Sequence, residues 1–237
     1  VTFLFSDIEG STKLVERFGA AWPDLLERHR SMLRTAFREH GGWEHGTEGD
    51  SFFVVFTSAP HAVAAAVAGQ QSLETAEWPA DGRIRVRMGL HTGEGRLSGD
   101  DYVGIDVHRA ARIAAVAHGG QVLTSAATRM LAGADLPDGV QLRDLGDHRL
   151  KDLAQPERIY QLVIDGLPSD FPALHTLDRT PNNLPTQITT FIGREGEIRD
   201  GLKLLDGTRL LTLTGPGGTG KTRLSLQLAA EAAASFP

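Results

Sequence analysis

The sequence contains no cysteine, which excludes disulfide bonds, thiolate metal sites and cysteine nucleophiles. The absence agrees with a reducing compartment, so we expect a cytoplasmic protein. No apolar run approaches the roughly 20 residues that span a membrane. The apolar start at residues 1–5 is too short for a signal peptide. We therefore expect no membrane partner.

The chain also lacks an excess of basic residues. Its 24 Lys and Arg against 30 Asp and Glu give a net charge of −6, so this segment is not expected to bind nucleic acid. The 237 residues, 41% hydrophobic and 23% charged, have globular composition. Because the sequence opens on Val1 and stops at Pro237, we interpret it as an excerpt of a longer protein. Any DNA-binding function is expected in a carboxyl-terminal part beyond it.

Hydrophobic periodicity predicts alternating strands and helices, and hence an α/β or α+β fold. Apolar runs predict strands at 2–5 and 51–56, and helical spacing predicts one long helix over 13–39. Arginine alternates with apolar residues over 83–88, which predicts a half-buried strand there. The remaining predicted elements are helices at 59–71, 107–117 and 126–131 and strands at 121–124, 140–144 and 158–164.

A proline-rich stretch without periodicity, residues 166–187, is interpreted as a linker. Beyond it we predict a helix at 195–205, a strand at 209–214 and a helix at 221–234. Residues 188–237 are thus interpreted as the amino-terminal part of an incomplete P-loop NTPase domain. The segment 184–195 resembles the entry to AAA-like or NB-ARC-type ATPase modules of bacterial regulators, but no second acidic strand, sensor or arginine finger follows.

The P-loop interpretation rests on residues 215–222, which read GPGGTGKT and fit G-x-x-x-x-G-K-[ST] between a predicted strand and helix. In such a loop, backbone amides approach phosphate oxygens, the lysine supplies positive charge and the last hydroxyl can ligate Mg²⁺. The candidate ATP-binding residues are Gly215, Gly217, Gly218, Thr219, Gly220, Lys221 and Thr222.

Two aspartates stand at the ends of predicted strands, Asp7 after the first and Asp50 before the second. Carboxylates from adjacent strands can hold two Mg²⁺ ions for an in-line phosphoryl displacement. Gly10, Ser11 and Thr12 open a helix and can offer backbone amides to a polyphosphate. The alternative is that Asp7 only caps the helix and that Asp50 only occupies a turn.

Four motifs in order, at 3–12, 47–56, 102–112 and 118–121, resemble a class III nucleotidyl cyclase catalytic domain. The resemblance covers residues 1–165 and implies an α+β fold with a ferredoxin-like mixed sheet and surrounding helices. The close of the domain resembles the bacterial branch that is fused to ATPase-type regulator modules. The implied reaction is attack of the ribose 3′-hydroxyl of ATP, or alternatively GTP, on its own α-phosphate, with release of pyrophosphate.

The resemblance also assigns roles to residues. Asp7, Asp50 and the carbonyl of Ile8 would hold two Mg²⁺ or Mn²⁺ ions in each site. Arg112 falls on the family's transition-state arginine, and Lys151 falls on its triphosphate-binding lysine. Because the family builds each site from two chains, the resemblance implies a homodimer.

Base recognition is where this sequence departs from the family pattern. Asp101 corresponds to the aspartate that accepts a hydrogen bond from adenine, although it can also be read as a turn residue. The purine-reading lysine is replaced by Gly46, and the asparagine that orients the ribose is replaced by His108. The neighbouring His45 would point to the opposite face of its strand unless the backbone bulges there.

Two functions therefore remain open. The first is an adenylate cyclase domain of a signalling protein, with activity lowered by the two replacements. The second is a cyclase-like module that binds nucleotide, or only dimerises, and regulates the attached ATPase. The acidic and basic groups retained at four separate motif positions favour the enzyme.

Overall fold

The computed structural model describes residues 1–80, 82–176, 193–208 and 210–232. The strands in these ranges are β1 (Thr2–Ile8), β2 (Trp43–Glu48), β3 (Ser51–Phe56), β4 (Val86–Thr92), β5 (Arg96–Ser98), β6 (Asp101–Val103), β7 (Val122–Ser125), β8 (Val140–His148) and β9 (Glu157–Ile164). The α-helices are α1 (Ser11–Phe18), α2 (Trp22–Glu39), α3 (Ala59–Thr75), α4 (Ile105–Val116), α5 (Ala126–Ala132), α6 (Glu195–Gly207) and α7 (Lys221–Ala232).

Seven of the strands form one mixed sheet in the order β2-β3-β1-β4-β7-β9-β8, while β5 and β6 form a separate hairpin. Among the strand pairs of this sheet in the described residues, only β4 and β7 run parallel. The predicted α+β architecture is therefore confirmed for the sheet domain. No helix in the described part of the chain is both long enough and apolar enough to cross a membrane.

Alternation along the central strands assigns a layer of helices to each face of the sheet. Leu4 and Val54 belong to the larger core, to which α2 and α3 contribute, whereas Phe3 and Val55 belong to a smaller core with Ala110 of α4. Packing on the α4 side is very close. A Cβ atom added at Gly89 of β4 would lie 2.2 Å from the backbone nitrogen of Ala114, so only glycine fits there.

The long helix predicted over 13–39 is divided in the structure. A short 3-10 helix, Gly19–Ala21, separates α1 from α2. Gly19 has a φ of 47°, which an L side chain rarely adopts. Pro23, in the first turn of α2, has no N–H to continue a preceding helix. The prediction of one continuous helix was therefore wrong. Gly19 and Pro23, both visible in the sequence, mark the break.

Two strand predictions also need correction. The strand predicted over 83–88 begins only at Val86, because Val86 pairs with Ile8, the last residue of β1. The strand predicted over 209–214 is absent from residues 210–214, which join no sheet in the described part of the chain. A strand requires a hydrogen-bonded neighbour, and sequence periodicity does not reveal whether one is present. The end of the predicted last helix, 233–234, lies outside the described residues.

Part of the segment interpreted as a linker packs on the sheet domain. The backbone N–H of His175 donates to the carbonyl of Val116 at 3.1 Å. Leu174 is 5% exposed and belongs to a cluster with Ile113 and Leu123. Residues 177–187 of the interpreted linker lie outside the described residues.

His29 provides a test of this packing. It lies in α2, is 0% exposed, and neither ring nitrogen has a hydrogen-bond partner in the described structure. Burial, with a smaller contribution from the charge of Arg30, lowers the pKa of His29 from 6.5 to about 4. Acid therefore protonates the unfolded chain before the folded one. We expect the free energy of unfolding to fall by about 3 kcal/mol as the pH decreases from about 6.5 to 4.

Urea unfolding at several pH values measures this effect. In His29→Leu the decline over this pH range should be much smaller, whereas the exposed His61→Leu control should retain the decline of the unmodified chain. Equal pH dependence in both variants would contradict the assignment to His29.

Candidate functional site

The two candidate metal aspartates lie close together where β1 ends and β3 begins. The antiparallel register of β1 and β3 brings the end of β1 to the start of β3. The Ser51 hydroxyl donates to Asp7 Oδ1 at 3.1 Å, and the Ile8 N–H donates to Asp50 Oδ2 at 3.3 Å. Ile8, the residue that follows Asp7, thus contacts the Asp50 carboxylate through its backbone N–H. Asp50 occupies a turn, as the alternative interpretation has it, and its carboxylate also contacts the backbone at the end of β1.

The electrostatics of the pair are unfavourable for two negative charges. Burial, followed by the negative charge of Asp7, raises the pKa of the Asp50 carboxyl. Hydrogen bonds from the Ser11 hydroxyl and the Ile8 N–H oppose the rise without cancelling it. A divalent cation between the carboxylates would remove this repulsion. The arrangement therefore fits an oxygen-liganded metal ion.

Sequence reasoning missed one residue of this site, Arg87. It stands opposite Asp7 in the register of β1 and β4, and its Nε donates to Asp7 Oδ2 at 3.0 Å while Nη2 contacts the same oxygen. Its Nη1 lies 3.3 Å from the carbonyl of Ala115. The alternating arginines over 83–88 were the available signal, but only the strand register shows which of them faces Asp7.

The loop that follows β1 prepares the start of α1. Gly10 adopts a φ of 68°, a left-handed conformation, and α1 begins at Ser11. The N–H groups of Lys13 and Leu14 donate back to the Gly10 carbonyl. The first amides of a helix, here those of Ser11 and Thr12, have no intrahelical acceptor. They are thus suited to hydrogen-bond an anion, as predicted from the sequence.

The candidate phosphate-binding cations are engaged elsewhere on the chain. Arg112, in α4, lies 2.5 Å from a carboxylate oxygen of Asp152. Lys151 Nζ lies 3.0 Å from the carboxylate of Glu231 in α7. No described hydrogen bond or ion pair links Arg112 with Asp7 or Asp50 of the same chain. His108 is exposed in the first turn of α4.

Asp101 meets His45, which the sequence placed on the opposite face of its strand unless a bulge intervened. The pairing of β2 with β3 shifts register between Glu44 and Gly46, so a bulge is present. His45 Nε2 consequently lies 3.3 Å from Asp101 Oδ1, with His45 11% and Asp101 81% exposed. Aromatic rings of Trp43, Phe53 and Tyr102 pack around the imidazole. Gly46 faces open space.

The GPGGTGKT loop leads directly into α7. Gly218 and Gly220 have φ values of 79° and 80°. Lys221 Nζ donates to the carbonyls of Gly215 at 2.8 Å and Pro216 at 2.6 Å. The loop therefore wraps around its own lysine. The remaining candidates in it, Gly217, Thr219 and Thr222, are exposed.

Comparison with known proteins identifies the family of the sheet domain. Residues 1–163 match the adenylate and guanylate cyclase catalytic domain family. The chain is 40% identical over 201 residues to an uncharacterized protein of Mycobacterium tuberculosis, covering 84% of this chain and 68% of that protein. It is 30% identical over 204 residues to a receptor-type adenylate cyclase of Trypanosoma equiperdum, covering 68% of this chain and 44% of that protein.

The sheet domain is also similar to solved structures. A structure of an adenylate cyclase from Trypanosoma brucei in its monomeric state superposes with a TM-score of 0.67 at 28% identity, covering 73% of this chain and 93% of that one. Together these findings show that the chain belongs to the family of adenylate and guanylate cyclase catalytic domains. Its sheet domain is a nucleotidyl cyclase domain.

The aspartate pair predicts unequal effects of two similar substitutions on thermal stability. Because the pKa of Asp50 is raised, its ionised form destabilises the fold, and the destabilisation grows as the pH rises through that pKa. We expect Asp50→Asn to raise the melting temperature at pH 7 without divalent ions. Asp7→Asn relieves the same repulsion but also loses the ion pair with Arg87, which contributes about 1 kcal/mol or less, so it should raise the melting temperature less than Asp50→Asn does.

Thermal melts with and without Mn²⁺ complete this test. Mn²⁺ should stabilise the unmodified chain and should stabilise both variants much less. Full Mn²⁺ stabilisation of both variants would contradict a metal site at these residues.

Proposed function

We propose that this chain converts ATP into 3′,5′-cyclic AMP and pyrophosphate, as a homodimeric enzyme of a cytoplasmic signalling protein. The observation that carries the proposal is the convergence of Asp7 and Asp50, where burial and then the charge of Asp7 raise the pKa of Asp50. With the Ile8 carbonyl they form an all-oxygen donor set suited to two Mg²⁺ or Mn²⁺ ions. When bound, such ions neutralise the triphosphate and acidify the attacking 3′-hydroxyl.

Arg87 fits this proposal as an internal counterion of Asp7. It keeps the carboxylate oriented along the edge of the sheet through its two guanidinium contacts. Both side chains of the pair are 29% exposed, so the pair is worth about 1 kcal/mol or less. Exchange of this guanidinium for a divalent cation is therefore a small energetic step.

The two cations that would hold the triphosphate are also engaged in ion pairs within the chain. Asp152 and Glu231 each offer one carboxylate, and Arg112 and Lys151 are about two-fifths exposed. A triphosphate carries several negative charges and can accept more hydrogen bonds than one carboxylate. We propose that substrate displaces Asp152 from Arg112 and Glu231 from Lys151. Arg112 would then offset charge at the reacting phosphate, while the amides of Ser11 and Thr12 would hold the remaining phosphates.

A second copy of this chain completes the site in this proposal. Among the described hydrogen bonds and ion pairs, none joins Arg112 to the aspartate pair of its own chain. Leu97 and Val103 on the hairpin and Ile105 at the start of α4 expose 43–61% of their surface, although they are large and apolar. Exposed large apolar side chains concentrated in one short segment, residues 97–105, are typical of an interface. A two-fold dimer through this segment would pair the aspartates of one protomer with Arg112 of its partner.

Base selection is assigned to Asp101 with His45. The imidazole is held by three aromatic rings and reaches the Asp101 carboxylate, which would otherwise be a mobile, exposed side chain. Asp101 so positioned can accept a hydrogen bond from the adenine amino group, which guanine lacks at that position. His45 thus acts as a positioning residue in place of the lysine missing at Gly46.

A cyclase-like module without turnover is the second candidate function. Gly46 cannot contact a base, and His108 replaces a ribose-orienting asparagine, so substrate could bind without reacting. Misplacement of the attacking oxygen by about 1 Å can cost on the order of 10²-fold in rate. Product analysis separates this candidate from a slow enzyme.

The carboxyl-terminal residues enter the proposal as a second nucleotide site. We assign 1–165 to the cyclase domain, 166–187 to a linker and 188–237 to the beginning of a P-loop ATPase module. Lys221 lies inside a glycine loop at the start of α7, where β- and γ-phosphates of ATP are bound in such modules. DNA binding, if the protein has it, belongs to sequence outside this segment.

The test is incubation of the 237-residue chain with ATP or GTP and Mn²⁺, with product identified by chromatography. We expect 3′,5′-cyclic AMP from the unmodified chain and at least about a hundredfold less from Asp7→Asn. Absence of cyclic nucleotide from the unmodified, dimeric chain, combined with nucleotide binding, would support the module without turnover.

The same assay tests base selection. His45→Ala should lower the ratio of kcat/KM for ATP to that for GTP by about tenfold, because it loosens a hydrogen bond worth about 1.5 kcal/mol. The exposed His61→Ala should leave the ratio unchanged. A ratio that does not change in His45→Ala would remove His45 from the proposal.

A further inference from the structure

Two histidines and one glutamate form a cluster beside the cyclase site, where residues 171–176 cross the sheet domain. Glu9 follows β1, His118 precedes β7, and His175 belongs to the crossing segment. One ligand atom of each lies within 4.8 Å of the other two. His118 Nδ1 is 4.0 Å from Glu9 Oε1, which is too long for a hydrogen bond. Two ligands of one tetrahedral zinc ion lie roughly 3.4 Å apart.

The orientation of His118 is fixed from the side away from the cluster. Its Nε2 lies 3.1 Å from the carbonyl oxygen of Ala173. A carbonyl only accepts, so Nε2 carries the proton and Nδ1 presents its lone pair toward Glu9 and His175. Metal-binding histidines are typically held in this way, with the second ring nitrogen donating to a carbonyl or carboxylate.

The backbone also supports the cluster. A Cβ atom at Gly119 would lie 2.8 Å from Glu9 Oε2, so the glycine makes room for this carboxylate. The N–H of His175 donates to Val116, and the neighbouring Leu174 is buried. The rings of His118 and His175 have centroids only 4.4 Å apart. Small rotations of the two exposed side chains, Glu9 and His175, would bring all three ligand atoms to one ion.

We propose that Glu9, His118 and His175 bind one divalent transition metal ion of the Zn²⁺ type. Two imidazole nitrogens and one carboxylate suit Zn²⁺, whereas Mg²⁺ prefers oxygen ligands alone. The ion fastens residues 171–176 to the end of β1, directly beside Ile8 and the loop that opens α1. It thereby joins the segment that leads away from the cyclase domain to the nucleotide-binding edge.

The proposal stands apart from the proposed catalytic function, because it uses neither Asp7 nor Asp50. Calorimetric titration of the 237-residue chain with Zn²⁺ in excess Mg²⁺ tests it. We expect one Zn²⁺ per chain. His175→Ala and Glu9→Gln change exposed side chains and should each weaken binding roughly tenfold or more. His61→Ala, also an exposed histidine, is the matched control and should bind as the unmodified chain does.

Hydrogen exchange provides the second measurement. Zn²⁺ should slow amide exchange in residues 171–176 of the unmodified chain and of His61→Ala, but not of His175→Ala. Absence of stoichiometric binding, or equal binding by His175→Ala and the unmodified chain, would overturn the proposal. Loss of Zn²⁺ binding in Asp7→Asn would also overturn it, since the ion would then occupy the aspartate pair.

Discussion

Repulsion between two carboxylates at neighbouring strand ends is the constraint on which the rest of the site depends. The antiparallel pairing of β1 with β3 fixes Asp7 and Asp50 at one edge, and β1 also pairs with β4 on its other side. The strands cannot move apart without breaking the centre of the sheet. Besides protonation of Asp50, whose pKa is raised, cations relieve this charge, and the fold already supplies one of them in Arg87.

The other charged groups of the site follow the same principle of internal balance. Asp152 holds Arg112, and Glu231 holds Lys151. In the proposed function, substrate displaces both carboxylates. The ion pair of Arg112 with Asp152 is partly exposed and contributes little free energy, whereas Glu231 is only 15% exposed. The contact of Lys151 with Glu231 has a further consequence. In the proposed function, phosphate binding at Lys151 competes with its ion pair to Glu231, which lies in the helix after the GPGGTGKT loop.

Much of this architecture could be predicted from the sequence, because local residue patterns determine most of the strands and helices. The apolar run of β3 and the placement of both aspartates at strand ends could be predicted, and the order of four motifs identified the family. What the sequence could not show depends on contacts between distant segments. The register that sets Arg87 against Asp7, and the bulge that turns His45 toward Asp101, are decided by strand pairing.

Docking of distant segments explains the remaining differences. Composition marked residues 166–187 as a linker, yet Leu174 fills a space between α4 and β7 that only the folded domain creates. The strand predicted at 209–214 had suitable residues but no neighbouring strand to pair with in the described structure. The residue composition of a segment determines which secondary structure it can form, whereas contacts with other segments determine whether that structure is present.

The central claim is that each catalytic site combines the aspartates of one chain with the arginine of another. Mixing Asp7→Ala and Arg112→Ala chains, each folded and inactive alone, measures this directly. Random pairing at equal concentrations yields mixed dimers in half of the population, each with one intact site, so about a quarter of the unmodified activity should return. Activity no higher than that of the separate variants would contradict the shared site.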